Sequence, residues 1–299
     1  MAPVVVFAYA RRDHLQRTIE SLHANPEAAS TELYVYCDGP RLAEHRDRVQ
    51  AVREYVASID GFASLKPVYR DRNLGLAESI ITGVTELLER HDRVIVVEDD
   101  LLLSPHFLRY MNDGLTAYAG CNEVASIHGY SLPVAAPLPP TYFLRGADCW
   151  GWGTWRRAWK LFRADGAGLL QELRDRHLAK QFDLDGSYPY TRMLEDQIAG
   201  RNDSWAIRWH ASCFLADKLT LYPGRSLVHN IGHDGSGTHC GDTAMYNQRV
   251  ALESVPVTPQ PLEVSEQARA AIVDFLRLCQ PGVGRRLGAW LRRRLKAGA

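Results

Sequence analysis

The sequence contains no apolar run of the roughly 18 to 20 residues that a membrane-spanning helix requires. The apolar run at 4–10 is too short for the core of a signal peptide, and no basic residue precedes it. The 6 cysteines form no Cys-x-x-Cys pair, so they indicate reduced thiols rather than a disulfide framework. These absences predict a cytoplasmic protein.

The sequence also lacks an excess of charge of one sign, because 35 Lys and Arg residues balance 35 Asp and Glu residues. Nucleic-acid-binding domains usually carry a basic patch or excess, so this balance predicts no nucleic-acid partner. With 299 residues and 46% hydrophobic composition, the chain can bury the core of one large α/β domain or of two small ones.

The first part of the chain alternates between strand-like and helix-like patterns. Runs of β-branched and aromatic residues predict strands at 4–9, 32–37, 67–69 and 93–97. The segments between these runs repeat apolar residues at helical spacing. A further strand is predicted at 124–128. Strands separated by helices in this way predict an α/β fold with a mostly parallel central sheet.

Polar residues follow three of the predicted strands. Tyr9 and Arg11 follow the first strand, Asp38 follows the second, and an acidic run at 98–100 follows the fourth. The carboxyl ends of parallel strands lie at one edge of a sheet, and ligands of α/β proteins bind outside that edge. These residues are therefore predicted to share one site.

The acidic run consists of Glu98, Asp99 and Asp100. Three neighbouring carboxylates repel one another, and a bound cation usually offsets that cost. A carboxylate, the phosphate oxygens of a donor and water form a suitable shell for Mn²⁺ or Mg²⁺. The run therefore predicts a divalent metal site. The alternative is a solvated acidic turn that caps the helix near Ser104.

Residues 94–110, VIVVEDDLLLSPHFLRY, resemble the metal-binding segment of the GT-A glycosyltransferases. They are similar to the Glu-Asp-Asp segment of the N-acetylglucosaminyltransferases of the protein-O-mannose and N-glycan pathways. They also resemble bacterial sugar transferases grouped with glycosyltransferase family 2. The resemblance continues through FAYARRDHLQRTIESL, ELYVYCDGP, NLGLAESIITGV and HNIGHDGSGTHC, and covers roughly residues 4–245.

This resemblance implies a GT-A (Rossmann-like) three-layer fold. The catalytic domain is expected at 1–245, with a nucleotide-binding half at about 1–103 and an acceptor half at about 104–245. A helical extension is expected at 246–299.

The resemblance also implies roles for individual residues. Arg11 matches an arginine that contacts the donor base, Asp38 matches an acid that reads a uracil-like base, and Asp100 matches the metal ligand. The other residues that match the donor site are Ala8, Tyr9, Asn73, Gly75, Ser79, Glu98 and Asp99. A carboxylate at Asp38 can accept from the imide N–H of such a base. The alternatives are a surface charge at Arg11 and a plain turn at 73–75.

Transfer with inversion needs a general base near the acceptor hydroxyl. Glu195 and Asp196 follow the acidic run at about the distance that the family shows for its base, and the family uses the second acid of the pair, here Asp196. The alternative is that both carboxylates lie exposed on a helix.

Tryptophans are concentrated around Trp150, Gly151 and Trp152. Indole faces stack on sugar rings, and glycine allows close approach of the backbone. The resemblance places this segment on the acceptor side. The alternative is a core position, which the helical spacing of Trp155 and Trp159 predicts for Trp159.

Two segments near the C-terminus carry further hypotheses. The histidines and the cysteine at 229–240 could suggest a zinc site, but their spacing does not match a zinc finger, and the glycine-rich piece at 234–237 predicts a mobile loop over the donor phosphates. The resemblance to GT-A enzymes, some of which use a late histidine as a metal ligand, implies that role for His239. The segment 285–296, from Arg285 to Lys296, has an apolar face among basic residues. It predicts peripheral contact with an anionic membrane at the inner face, with a solvated terminal helix or a disordered tail as the alternatives.

The sequence as a whole predicts an inverting, metal-dependent glycosyltransferase. It would move a hexose or N-acetylhexosamine from a nucleotide diphosphate sugar, with UDP favoured, to a hydroxyl of a glycan or lipid-linked acceptor. A sugar-nucleotide pyrophosphorylase is an alternative, although the first strand is not followed by its glycine-rich phosphate loop. A non-catalytic carbohydrate-binding module is another.

Overall fold

The computed structural model describes residues 1–232 and 244–279. Its strands are β1 (Val4–Ala8), β2 (Glu32–Cys37), β3 (Ser64–Tyr69), β4 (Arg93–Glu98), β5 (Leu101–Leu103), β6 (Val124–His128), β7 (Thr141–Arg145), β8 (Trp152–Trp155), β9 (Leu219–Pro223) and β10 (Val228–Asn230). Its helices are α1 (Arg12–His23), α2 (Arg46–Ala57), α3 (Leu76–Arg90), α4 (Phe107–Ala117), α5 (Arg156–Trp159), α6 (Gly166–Asp175), α7 (Ala179–Phe182), α8 (Tyr190–Ile198), α9 (Trp205–Leu215) and α10 (Glu266–Cys279).

Eight of these strands form one sheet, in the order β3-β2-β1-β4-β8-β6-β9-β7. β1, β2, β3, β4, β6 and β9 run in one direction, and β7 and β8 run against them. Residues 94–97 of β4 are buried on both faces, as expected of a strand in the middle of a layered sheet. The predicted α/β fold with a mostly parallel central sheet is confirmed.

Helices cover both faces of the sheet, and β8 shows this at adjacent residues. Trp152 packs against Trp159 of α5 and Trp209 of α9 on one face. Gly153 faces α4 on the other, where an added Cβ would lie 3.0 Å from the Met111 side chain. Side chains alternate between the faces of a strand, so the sheet lies between two helical layers.

The described part of the predicted C-terminal extension packs against the sheet. Ala251 and Val255 belong to the main hydrophobic core, and Ile272 of α10 packs beside Tyr142 and Tyr222 on the faces of β7 and β9. The predicted division of the chain at residue 246 stays a prediction.

Two predicted segments lie outside the described residues. His239 falls in the gap at 233–243, and the basic segment 285–296 follows the last described residue, so both hypotheses stay predictions. Within the described ranges, no helix is both long and apolar enough to cross a membrane.

Candidate functional site

The strand ends that the sequence places together do meet at one edge of the sheet. In β1, Phe7 is paired with Glu98 of β4, and Ala8 is paired with Cys37 of β2. The backbone N–H of Asp38 donates to the carbonyl of Ala8 over 3.2 Å. The segments that follow β1, β2 and β4 therefore leave the sheet side by side.

Arg11 lies against the acidic run rather than beside Asp38. Its guanidinium hydrogen-bonds the Asp99 carboxylate and also donates to Asp100 Oδ2 over 2.8 Å. Burial lowers the pKa of Arg11, but the two carboxylates outweigh burial and raise it overall. Arg11 is thus the counter-charge of the acidic run in the described structure, and its predicted contact with the donor base stays a prediction.

Two carboxyls of the acidic run, Glu98 and Asp99, have raised pKa values. Burial raises the pKa of Glu98, and the charges of Asp100 and Asp99 raise it further. Burial also raises the pKa of Asp99, although Arg11 opposes this. The Thr18 hydroxyl donates to the Asp99 carbonyl over 2.8 Å and fixes the backbone of the run on α1. Added positive charge at this edge would favour the ionised form of each carboxyl.

The Asp100 carboxylate packs closely against the backbone of a glycine. An added Cβ on Gly232 would lie 2.2 Å from Asp100 Oδ2. The backbone is held there by two hydrogen bonds, from Ile231 N–H to the Asp100 carbonyl over 2.8 Å and from Gly232 N–H to Asn230 Oδ1 over 2.7 Å. Only a residue without a side chain fits at position 232 in this arrangement.

The residues around Asp100 fit a hard divalent cation bound mainly by its ligand. Among residues 1–232 and 244–279, no group of three or more His, Cys, Asp or Glu side chains converges in a way that could hold a metal. A single carboxylate suits Mg²⁺ or Mn²⁺, because these ions take oxygen ligands and readily keep waters and phosphate oxygens.

Asp38 organises the turn that begins α3. Its Oδ2 accepts from Leu74 N–H over 3.0 Å and Gly75 N–H over 3.2 Å, and its Oδ1 accepts from the Ser79 hydroxyl over 3.1 Å. Asn73 Oδ1 also accepts from Gly75 N–H, over 3.1 Å. Burial raises the pKa of Asp38, and these hydrogen bonds oppose the shift. A carboxylate offers about four acceptor positions, so about one is left for a ligand such as a base imide.

Tyr9 is held by the loop that follows β2. Its hydroxyl lies 2.6 Å from His45 Nδ1 and accepts from Arg41 N–H over 2.9 Å. The predicted donor residues therefore form two groups, one around Asp38 with its turn at 73–75 and one around Arg11 with the acidic run. Tyr9 precedes Arg11 along the chain and contacts the loop that follows β2.

Glu195 and Asp196 lie on α8 and are paired with arginines. Glu195 Oε1 accepts from Arg174 over 2.9 Å, and Asp196 Oδ1 accepts from Arg201 Nε over 2.7 Å. Arg192 also contacts Asp196, over 3.1 Å. The hydrogen bonds from Arg201 lower the pKa of Asp196, which makes it a weaker proton acceptor in this arrangement. The assignment of the base to this pair stays a prediction.

The three predicted acceptor-side residues have different surroundings. Trp152 is fully buried, with Trp159, Trp205 and Trp209 packed around it. Its indole has no face free for a sugar, so the assignment of Trp152 to the site is corrected to a core position. The sequence alone could not separate the two uses of tryptophan, because both favour large aromatic surfaces.

Gly151 and Trp150 precede that buried residue. Gly151 has a φ of 64°, and an added Cβ would lie 2.8 Å from Val228, so glycine is required for close packing. Trp150 is partly exposed and meets Tyr130 and Tyr246 edge-on, at centroid distances of 4.8 and 5.8 Å. Of the three residues, Trp150 presents its indole at the surface.

A polar cluster near Trp150 was missed by the sequence analysis. Tyr222 of β9 donates to Asp148 Oδ2 over 2.8 Å, and its ring contacts His128 at the end of β6 edge-on at 5.0 Å. The available signal was weak: His128 ends a predicted strand, and Asp148 directly precedes the tryptophan-rich segment.

Comparison with protein-family models gives no match, and comparison with curated proteins gives none. Among solved structures, S. aureus TarS matches 49% of this chain and 25% of its own length, with 16% identity and a TM-score of 0.34. The mannosyltransferase PcManGT from Pyrobaculum calidifontis, solved with GDP-Man and Mn²⁺, matches 72% of this chain and 68% of its own, with 10% identity and a TM-score of 0.39.

Glucosyl-3-phosphoglycerate synthase from Mycobacterium tuberculosis, solved with Mn²⁺, UDP and phosphoglyceric acid, matches 54% of this chain and 57% of its own. Its identity is 15% and its TM-score is 0.32. This chain spans a quarter of the TarS structure and just over half of the synthase. Likenesses of this extent assign no function to the chain.

Proposed function

We propose that the chain is a GT-A glycosyltransferase that takes a hexose or N-acetylhexosamine from a nucleotide diphosphate sugar. UDP is the favoured nucleotide. The sugar passes with inversion to a hydroxyl of a glycan or a lipid-linked acceptor. The observation that carries the proposal is the acidic run at the end of the central strand, with Asp100 packed against Gly232 and paired with Arg11.

The proposed division of labour follows the two groups of donor residues. Asp100 would hold Mn²⁺ or Mg²⁺, Arg11 would lie beside the diphosphate, and Glu98 and Asp99 would lie near the ribose and the sugar. Asp38, through its turn at 73–75, would hold the nucleoside. When bound, the divalent cation would supply positive charge to offset the charge of the departing diphosphate.

Arg11 supports this arrangement because its guanidinium can bind either the acidic run or the donor diphosphate. Its guanidinium neutralises Asp99 and Asp100 in the described structure. A planar guanidinium also binds phosphate oxygens well, so it could turn towards a diphosphate when a cation takes over the neutralisation of Asp100. The site then keeps its charge balance in both states.

The test is release of nucleotide from a panel of UDP-, GDP- and dTDP-sugars by the full chain, with Mn²⁺ or with EDTA. We expect Mn²⁺-dependent release from one nucleotide class, and a loss of about 100-fold or more in Asp100→Asn. Glu253→Gln is the matched control, because Glu253 is an exposed acid paired with Arg225. Release that persists in EDTA or in Asp100→Asn would contradict the metal role.

A further inference from the structure

We infer that Asp148 and the aromatic residues around it form the binding site for the acceptor sugar, with Asp148 as the group that receives the proton of the attacking hydroxyl. The inference rests on the proposed transferase function and gives it an acceptor site. It assigns to Asp148 the role that the sequence predicts for Asp196.

The loop that carries Asp148 lies at the same edge of the sheet as the acidic run. β8 is antiparallel to β4, with Trp152 paired to Val96, so the chain that enters β8 lies where the chain leaves β4. The acidic run begins two residues after Val96. A group in the loop before Trp152 therefore lies at the same edge of the sheet as the proposed donor site.

The loop is anchored by α9. Nδ1 of His210, in α9, lies 2.9 Å from the Ala147 carbonyl oxygen. Gly146 has a φ of 97°, and an added Cβ would lie 2.6 Å from the His210 ring. These contacts fix the backbone on which the Asp148 carboxylate is carried.

The Asp148 carboxylate has the capacity to accept a proton. Its Oδ2 accepts from Tyr222, and within the described residues no hydrogen-bond donor reaches Oδ1 and no arginine or lysine is paired with it. Burial lowers the pKa of His128 to about 4 and lowers that of His210, so both neighbours are neutral at pH 7. Within the described residues Asp148 therefore has no cationic partner, whereas Glu195 and Asp196 are paired with arginines.

The surroundings of Asp148 combine aromatic faces with polar atoms, as a saccharide requires. Tyr190 stacks on His210 with a centroid distance of 4.4 Å and an interplanar angle of 20°. Trp150, partly exposed, stands on the other side of the loop beside Tyr130. Sugar rings bind through apolar faces and a few directed hydrogen bonds, which identifies a hydroxyl-rich ring as the fitting ligand class.

In the proposed step, the acceptor oxygen forms a bond to the anomeric carbon of the donor while its proton passes to the Asp148 carboxylate. The bond between that carbon and the diphosphate oxygen breaks, and its electron pair leaves with the nucleoside diphosphate. Tyr222, which hydrogen-bonds Asp148, is a positioning residue in this step.

The experiment measures nucleotide release by the full chain with Mn²⁺, from the nucleotide sugar of the panel above that the wild type hydrolyses. The reaction is run without an acceptor and with methyl glycosides of glucose, galactose, mannose, N-acetylglucosamine and rhamnose as acceptor probes. We expect at least one glycoside to increase release from the wild type. Asp148→Asn should lose that increase by about 100-fold or more while its nucleotide affinity stays unchanged. Asp217→Asn is the control, since Asp217 is an exposed acid paired with Arg145.

Two further variants separate the alternatives. Tyr222→Phe should lower kcat of the stimulated reaction several-fold with little change in KM. A merely structural role of Tyr222 would not change kcat alone. This variant also tests the inference if Asp148→Asn fails to fold. The inference is overturned if Asp148→Asn keeps the stimulated rate to within about twofold, if only Asp196→Asn loses it, or if no glycoside stimulates a wild type that hydrolyses its donor. Absence of any nucleotide binding would instead overturn the proposed function.

Discussion

Arg11 donates a hydrogen bond to Asp100 over 2.8 Å, so the predicted metal ligand is already paired with a cation of the chain. The two residues follow adjacent parallel strands, which brings them together across 89 positions of sequence. A divalent cation at Asp100 must therefore share the carboxylate with Arg11 or displace it. This pairing also explains how three consecutive acids can be held at one strand end without a bound metal.

Replacing Arg11 with Gln should destabilise the metal-free protein by about 2 to 3 kcal/mol, because two largely buried carboxylates lose their counter-charge. Mn²⁺ should restore part of the loss. Denaturant unfolding at pH 7 with and without Mn²⁺ measures both effects. The neighbouring Arg12→Gln is the control, since its exposed pair with Asp13 should contribute less than about 1 kcal/mol. Equal stability of the two variants would show that Arg11 does not neutralise the run.

Replacing Gly232 with Ala should impair the metal site selectively. The new Cβ would overlap Asp100 Oδ2, so the carboxylate must move and cation binding should weaken by about tenfold or more. Calorimetric titration of Mn²⁺ in the presence of nucleotide measures the change. Gly120→Ala is the matched control, since an added Cβ there meets no atom within 4 Å. Unchanged Mn²⁺ affinity in Gly232→Ala would remove Gly232 from the site.

Glu98→Gln should stabilise the metal-free protein at high pH. The pKa of Glu98 is raised in the folded state above its value in the unfolded state, so between these two values the folded state keeps the carboxyl proton that the unfolded state loses. The contribution of Glu98 to stability therefore falls as pH rises through the folded-state pKa. The variant should exceed the wild type by about 1 to 3 kcal/mol near pH 8, and the difference should vanish below the ordinary carboxyl range of about pH 4. Thermal unfolding in EDTA across this range measures it.

The control for that series is Glu89→Gln, an exposed acid on α3. Saturating Mn²⁺ should remove or reverse the advantage of Glu98→Gln, because a cation favours the ionised carboxyl. A difference that grows as pH falls would contradict the account of this site.

Asp38→Asn should weaken nucleotide binding by about tenfold and destabilise the protein by about 1 to 3 kcal/mol. The amide replaces one carboxylate oxygen, so it cannot accept all the hydrogen bonds from Leu74, Gly75 and Ser79 that shape the start of α3. Ser79→Ala, which removes one of these bonds, should give a smaller change. Calorimetry with UDP and denaturant unfolding test the two expectations. A wild-type affinity in Asp38→Asn would show that the turn does not serve the donor.

The first strands were predictable because their sequences are strongly patterned. The run at 93–97 predicts a central strand, and β4 spans Arg93–Glu98 with its middle buried on both faces. The predicted strand at 124–128 coincides with β6. β8 was missed because the sequence WGTW alternates indole with glycine and threonine, and its two faces are buried against different helices.

The site was predictable as a set of strand ends but not as a set of contacts. Parallel topology alone brings Arg11, Asp38 and Asp100 to one edge of the sheet. Their partners follow from side-chain geometry across long sequence separations, such as Asp38 with Ser79 and Arg11 with Asp99. The same limit applies to Asp148, whose partner Tyr222 lies 74 residues further along the chain.

The central claim is that Asp100 and a nucleotide diphosphate hold a divalent cation together. The most direct measurement is calorimetric titration of UDP, GDP and dTDP into the full chain, with Mn²⁺ or with EDTA, for the wild type and Asp100→Asn. We predict that Mn²⁺ tightens binding of one nucleotide by about tenfold or more, and that Asp100→Asn abolishes this gain. Nucleotide affinity that is the same with and without Mn²⁺, or the same in both proteins, would contradict it.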